Sequence, residues 1–206
     1  MLVALVSFTL ASVLIVLLPG PDSLVVVRGL VRGGRRGGAL TAAGVLCGLG
    51  VWVSATALGI SALLRASEVG YDVLKVVGAC YLLWLGFRSL TSLRRTIEQP
   101  AAVEALEAIR SGFWAGFLTD ILNPKVGVFF VSFLPGFIPS DAGSIGWVTL
   151  GFGVWYTLLS ALYFAALVAV SSTVAGWMSS ARIRRRLDAA TGLVLVAFGL
   201  RLATEA

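Results

Sequence analysis

Three stretches of this chain carry no charged residue over lengths that few water-soluble folds tolerate: Leu2 to Pro21 (20 residues), Gly37 to Leu64 (28) and Ala142 to Ala181 (40). At about 1.5 Å per helical residue, about 20 residues cross a hydrocarbon layer of roughly 30 Å. No water reaches the backbone inside that layer, so a spanning segment must pair its own N–H and C=O groups, which an α-helix does. With 58% of its 206 residues hydrophobic and 13% charged, a soluble fold would leave a surface nearly as apolar as its core. An all-α, polytopic membrane protein is therefore expected. The first stretch continues apolar past Asp22 to Val27, lacks a basic region before it, and ends in PGPDS in place of a small-residue cleavage site. It reads as a span and not as a cleaved signal.

Three weaker segments complete a six-span reading. Val76 to Phe87 is charge-free, with Lys75 and Arg88 placed to snorkel to opposite interfaces. Ser111 to Ser140 is apolar at both ends and interrupted by Asp120, Asn123, Pro124 and Lys125, and Ala189 to Leu200 is a short last span. The long run from Ala142 to Ala181 reads as one tilted or re-entering helix with its end near Ser171 to Ser180 in the interface. Basic residues test this count independently of hydropathy. The first connector holds Arg28, Arg32, Arg35 and Arg36; the third Arg88, Arg94, Arg95 and Arg110; the fifth Arg182, Arg184, Arg185 and Arg186. The second has only Arg65 and Lys75, the fourth and the N-terminus none, the C-terminus Arg201. By the positive-inside rule both termini face away from the cytoplasm. The net charge of +6 thus reflects membrane topology, and no nucleic-acid face is expected.

The two halves resemble each other. A shift of 105 places Phe8 on Phe113, Leu17 on Leu122 and Pro19 on Pro124, and a shift of 113 places Leu74 on Leu187, Gly86 on Gly199 and Arg88 on Arg201. Repeats at 1–92 and 111–206, joined by a cytoplasmic linker at 93–110 in a single domain of 1–206, are expected. A three-span unit is odd, so the second copy enters the bilayer from the other side, as an inverted repeat. The shared prolines matter most. Proline lacks an N–H and clashes with the carbonyl four residues back, so Pro19 and Pro21 free the carbonyls of Ile15 and Leu17, and Pro124 frees that of Asp120. Such groups must be met by protein, water or ligand, so spans one and four are expected to be broken around a wet cavity. Helix N-termini suit a carboxylate and freed carbonyls an ammonium. A free amino acid carries both.

Asp22, Asp120 and Lys125 are the charges expected within these breaks, each costing about 2.5–3.5 kcal/mol at mid-membrane. Lys125 would neutralise one aspartate and leave the other to exchange a proton. Ser23, Asn123 and Thr119 could contact a substrate or bond between helices, and Trp52, Tyr81 and Trp84 could line the cavity or form interfacial belts. Gly44 and Gly48, with Gly112 and Gly116, have the spacing of close helix contacts. There is no histidine, which excludes His ligands, a Ser/His dyad and a His relay. Cys47 and Cys80, 33 positions apart, read as packing residues. No catalytic group, metal site or cofactor is expected.

LLPGPDSLVVVRGLVRGGRRGGALTAAGVLCGLGVW, then VGACYLLWLGFRSL, then GFWAGFLTDILNPKVGVFFVSFLPGF, in order from Leu2 to about Phe137, resembles the LysE/RhtB family of bacterial amino-acid exporters. PGP and NPK at this separation carry the likeness. It implies a multi-pass inner-membrane exporter of amino acids or close derivatives, driven by the proton gradient. Carried over by position, Pro19, Gly20, Pro21 and Asp22 match the first motif and Asn123, Pro124 and Lys125 the second. Relatives commonly have histidine where Trp52 stands and asparagine where Asp120 stands. The residues and the resemblance together give a secondary exporter working by alternating access, with Pro19, Gly20, Pro21, Ser23, Asn123, Pro124 and Lys125 binding substrate and Asp22 and Asp120 carrying protons or the substrate's ammonium. A homo-oligomer is compatible with this. The alternatives are metal-cation efflux, for which two aspartates beside a lysine are a poor ligand set, and a membrane scaffold that transports nothing.

Overall fold

A computed structural model describes residues 2–17, 20–66, 112–138 and 144–170, with isolated helical positions within 73–90 and 189–200. The linker at 93–110, Pro19, Tyr81 and the segment 171–188 lie outside the described residues. The described residues are helical, without strands. They form α1 (Leu2–Leu17), α2 (Pro21–Ala66), α3 (Phe113–Ile121), α4 (Pro124–Val128) and α5 (Ile145–Ala169). α4 runs on through a π-helical turn at Phe129–Phe133 and a 3₁₀ turn at Leu134–Phe137.

The chain is interrupted where its prolines require it. α1 stops at Leu17, Gly20 is non-helical, and α2 starts on Pro21, the first helical position, where a missing N–H costs nothing. α3 and the α4 segment, bent by 51° at their break, divide at Leu122 and Asn123. There Asn123 Oδ1 caps the second helix by accepting from the Lys125 N–H at 3.0 Å. The Asp120 carbonyl freed by Pro124 is met by protein: the Asn123 N–H donates to it at 3.0 Å, closing the helix end with a 3₁₀ turn.

At 46 residues α2 is too long for one crossing, and it is not straight. Gly33 (φ −128°) and Gly34 (φ +59°, ψ −157°) leave helical geometry. The Gly34 values lie in a region that side chains other than hydrogen avoid. The arms 21–32 and 35–66 fold back on each other there, close enough that a Cβ on Gly37 would overlap the Gly29 carbonyl and one on Gly38 would overlap Leu30. The turn falls within the first arginine cluster. α5 covers 25 residues; the rest of the expected run, at 142–143 and 171–181, lies outside the described residues.

α2 and α3 meet almost backbone to backbone. A Cβ on Gly44 would strike the Phe113 carbonyl, and one on Gly116 the Thr41 carbonyl, the contact that small residues in membrane helices permit. Cys47 and Cys80 are free and exposed. Two apolar clusters flank the breaks. One joins Val25, Val26, Ala42, Val45, Phe164 and Leu167; the other joins Phe8, Phe129, Phe133, Phe137, Phe152 and Tyr156. In the second, Phe8 stacks on Phe152 with centroids 4.8 Å apart and meets Phe137 edge-on at 5.4 Å. By length and composition two described helices can cross a membrane, or three if the bent pair counts as one.

Candidate functional site

The two interruptions meet. Lys125, on the first turn of α4, sends its Nζ across to donate to the Ile15 carbonyl at 3.0 Å. That is the oxygen Pro19 deprives of a helical partner. The lysine therefore sits at the C-terminal, electronegative end of α1, where a cation is favoured. Asn123 Nδ2 donates to Asp22 Oδ2 at 2.8 Å, so one asparagine both caps α4 and holds the aspartate of the other break. Asp22 lies in the first turn of α2, the end that favours an anion. Its second oxygen, Oδ1, is buried without a partner. The meeting point thus offers an ammonium and a carboxylate, set on opposite helix ends, with one carboxylate oxygen still to be satisfied.

A cavity of about 30 Å³ lies between them, walled by Gly20, Asp22, Ser23 and Lys125 with aliphatic Ile15, Val16, Val45 and Leu49. α5 completes the wall with Tyr156, Ser160, Tyr163 and Phe164, and the Tyr163 hydroxyl donates to Ser23 Oγ at 3.2 Å. This is room for a water or two, far below the roughly 300 Å³ of a small-molecule site. Members of both apolar clusters line it: Val45 and Phe164 of one, Ile15, Leu49, Val126 and Tyr156 of the other. A larger recess of about 290 Å³, lined by Arg28, Arg32, Gly112 and Phe113 among others, opens beyond the Val25 and Ala115 layer. Arg35, near the fold in α2, donates to the Ala169 carbonyl at the end of α5 at 2.8 Å. The fold of α2, the start of α3 and the end of α5 therefore share one face of the molecule.

Of the residues singled out in the sequence, Gly20, Asp22, Ser23 and Lys125 line the cavity. Asn123 stands behind Asp22, while Pro21 and Pro124 are exposed and shape the breaks without facing the cavity. Asp120 is fully buried, with neither carboxyl oxygen bonded. It is absent from the cavity wall and packs against Gly48, where a Cβ would overlap its Oδ2. Trp52 packs its ring over Gly127 and Trp84 is exposed; neither lines the cavity. Sequence reasoning passed over Tyr156, Ser160 and Tyr163. Their i, i+4, i+7 spacing in an otherwise apolar helix was the available signal. Among the described residues no group of three or more Asp, Glu, Cys or His side chains could hold a metal ion.

The profile of the LysE type translocator family matches residues 13–206. A leucine efflux protein of Klebsiella pneumoniae is 30% identical over 201 residues, covering 96% of this chain and 93% of its own. Uncharacterized membrane proteins of Pseudomonas aeruginosa (34% over 205 residues, 96% and 94%) and Bacillus subtilis (27% over 206 residues, 96% and 97%) are similar over the same extent. No solved structure matches the chain.

Proposed function

The chain belongs to the LysE type translocator family, membrane transporters and not enzymes, and from that premise we propose that it exports a neutral, apolar amino acid of the leucine kind in exchange for protons. The observation that carries this reading is the facing pair at the two breaks: Lys125 on α4 and the unpartnered oxygen of Asp22 on α2. A zwitterion fits that pair with its carboxylate toward Lys125 and its ammonium toward Asp22, while Ile15, Val16, Val45 and Leu49 surround an aliphatic side chain. Several relatives that are named leucine efflux proteins fit the same apolar wall.

A cavity of about 30 Å³ must widen to admit an amino acid, toward one face at a time, which is alternating access. Six spans in two inverted three-span repeats, with both termini on the non-cytoplasmic side of a bacterial inner membrane, supply the symmetry for it. In that orientation the arginine-lined recess faces the cytoplasm and the phenylalanine cluster faces outward. The proton enters the cycle through charge balance. A substrate ammonium and a proton both answer the negative charge shared by Asp22 and Asp120, so each displaces the other, and mutual displacement across two states is antiport. One proton moving through 100 mV supplies about 2.3 kcal/mol, enough for roughly a fiftyfold gradient of substrate.

Counterflow in proteoliposomes against a panel of common amino acids, with and without a pH gradient, tests the proposal. Leucine-like substrates are expected to exchange, and the pH gradient to drive their net movement. Asp22→Asn and Asp120→Asn are expected to insert normally and lose gradient-driven export. Full export by both variants rejects the coupling roles, and absence of exchange with every amino acid favours the scaffold alternative.

A further inference from the structure

Asp120 differs from the rest of the polar centre. It is wholly buried, bonded to nothing, and outside the cavity wall. Its carboxyl group lies against the bare backbone of Gly48 on α2. One and two turns further along that face stand Trp52 and Thr56, and the Trp52 indole Nε1 and the Thr56 Oγ1 are likewise buried without partners. On α1, the Ser12 Oγ is also buried and unbonded. Positions 48, 52 and 56 share one helix face and climb about 12 Å.

An orphaned buried polar group costs about 1–3 kcal/mol, and native interiors hold few of them. Three along one face of α2, Asp120 at Gly48 and then Trp52 and Thr56, mark a seam whose bonding ordered water would complete. We propose that this seam is a hydrated proton path joining Asp120 to the non-cytoplasmic face, separate from the route taken by the substrate; the inference rests on the export reading and orientation above. A proton passes along water and the Thr56 hydroxyl to an Asp120 carboxylate oxygen, forming one O–H bond as a hydronium loses one, and leaves by the reverse transfer. The other ionisable groups of the centre are Asp22 on the first arm of α2, Lys125 on α4 and Tyr156 and Tyr163 on α5. Between Gly48 and Thr56 the chain has no titratable residue, so no side chain of that stretch intercepts the proton. Gly48 is the positioning residue, because any larger side chain displaces the carboxyl group from the seam.

The test uses the full-length protein in liposomes with two readouts: leucine counterflow at equal pH, and proton movement driven by a leucine gradient, followed by a trapped pH dye. Thr56→Val and Trp52→Phe are expected to slow proton movement by about tenfold or more while leucine counterflow continues at the wild-type rate, and Thr56→Ser is expected to keep both. Wild-type proton movement in the Val and Phe variants overturns the path, as does a parallel loss of counterflow or failure of Thr56→Ser to retain proton movement. A wild type that exchanges leucine and moves no protons overturns the path and leaves leucine export standing. A wild type that exchanges no leucine removes the export reading and the path with it.

Discussion

Asn123 does two things with one side chain: its oxygen caps the second half-helix of the broken span and its amide holds Asp22. A helix cap is worth about 1 kcal/mol and a hydrogen bond to a charged group about 1.5–3 kcal/mol. Asn123→Ala is expected to lower thermal stability by both amounts, whereas Asn123→Ser keeps a capping oxygen and loses only the bond to Asp22. Thermal unfolding in detergent separates the two, and equal losses in both variants would show that the cap contributes nothing. The residues of this bond were legible, since each stands beside a proline break in an apolar run. Their pairing across 101 positions was not, because periodicity reports which face a residue occupies and never which distant side chain it meets. Asp120 shows the same limit. The sequence put it beside Asn123 at the break, but only the packing of α2 on α3 turns it away from the cavity and against Gly48.

At the scale of elements, the seam between α2 and α3 is the most sharply constrained contact. Gly44→Ala and Gly116→Ala each push a methyl group into a facing carbonyl, and overpacking of this kind costs typically 1–3 kcal/mol. Gly50 and Gly59, on the same helix, face open space, so Gly50→Ala and Gly59→Ala are expected to be neutral or slightly stabilising, since alanine favours a helix over glycine by about 1 kcal/mol. Comparing folded yield and melting temperature across the four variants tests the seam, and equal behaviour of all four would contradict it. Glycine spacing made this contact readable in advance. The fold in α2 was readable too, as an arginine-rich connector between apolar stretches, although the non-helical turn narrows to Gly33 and Gly34.

Among the described residues two apolar clusters of different character adjoin the small polar centre, a largely aliphatic one that shares Val25 and Ala115 with the arginine-lined recess and an aromatic one around Phe8. Stacked and edge-on phenylalanines make the second cluster the denser seal. Phe8→Ala, at the middle of that cluster and fully buried, is expected to open a void, cost about 3–5 kcal/mol and let substrate and protons cross without exchange, measurable as downhill leucine leak from loaded vesicles. An unchanged leak rate would mean that the cluster is not the outer barrier. The bond between Lys125 and the Ile15 carbonyl reaches furthest beyond this conformation. Its acceptor belongs to the main chain, so the contact itself does not depend on which side chain stands at position 15. Lineages will therefore record the dependence as a persistent proline and a persistent lysine, with no correlated change at position 15 to betray what connects them.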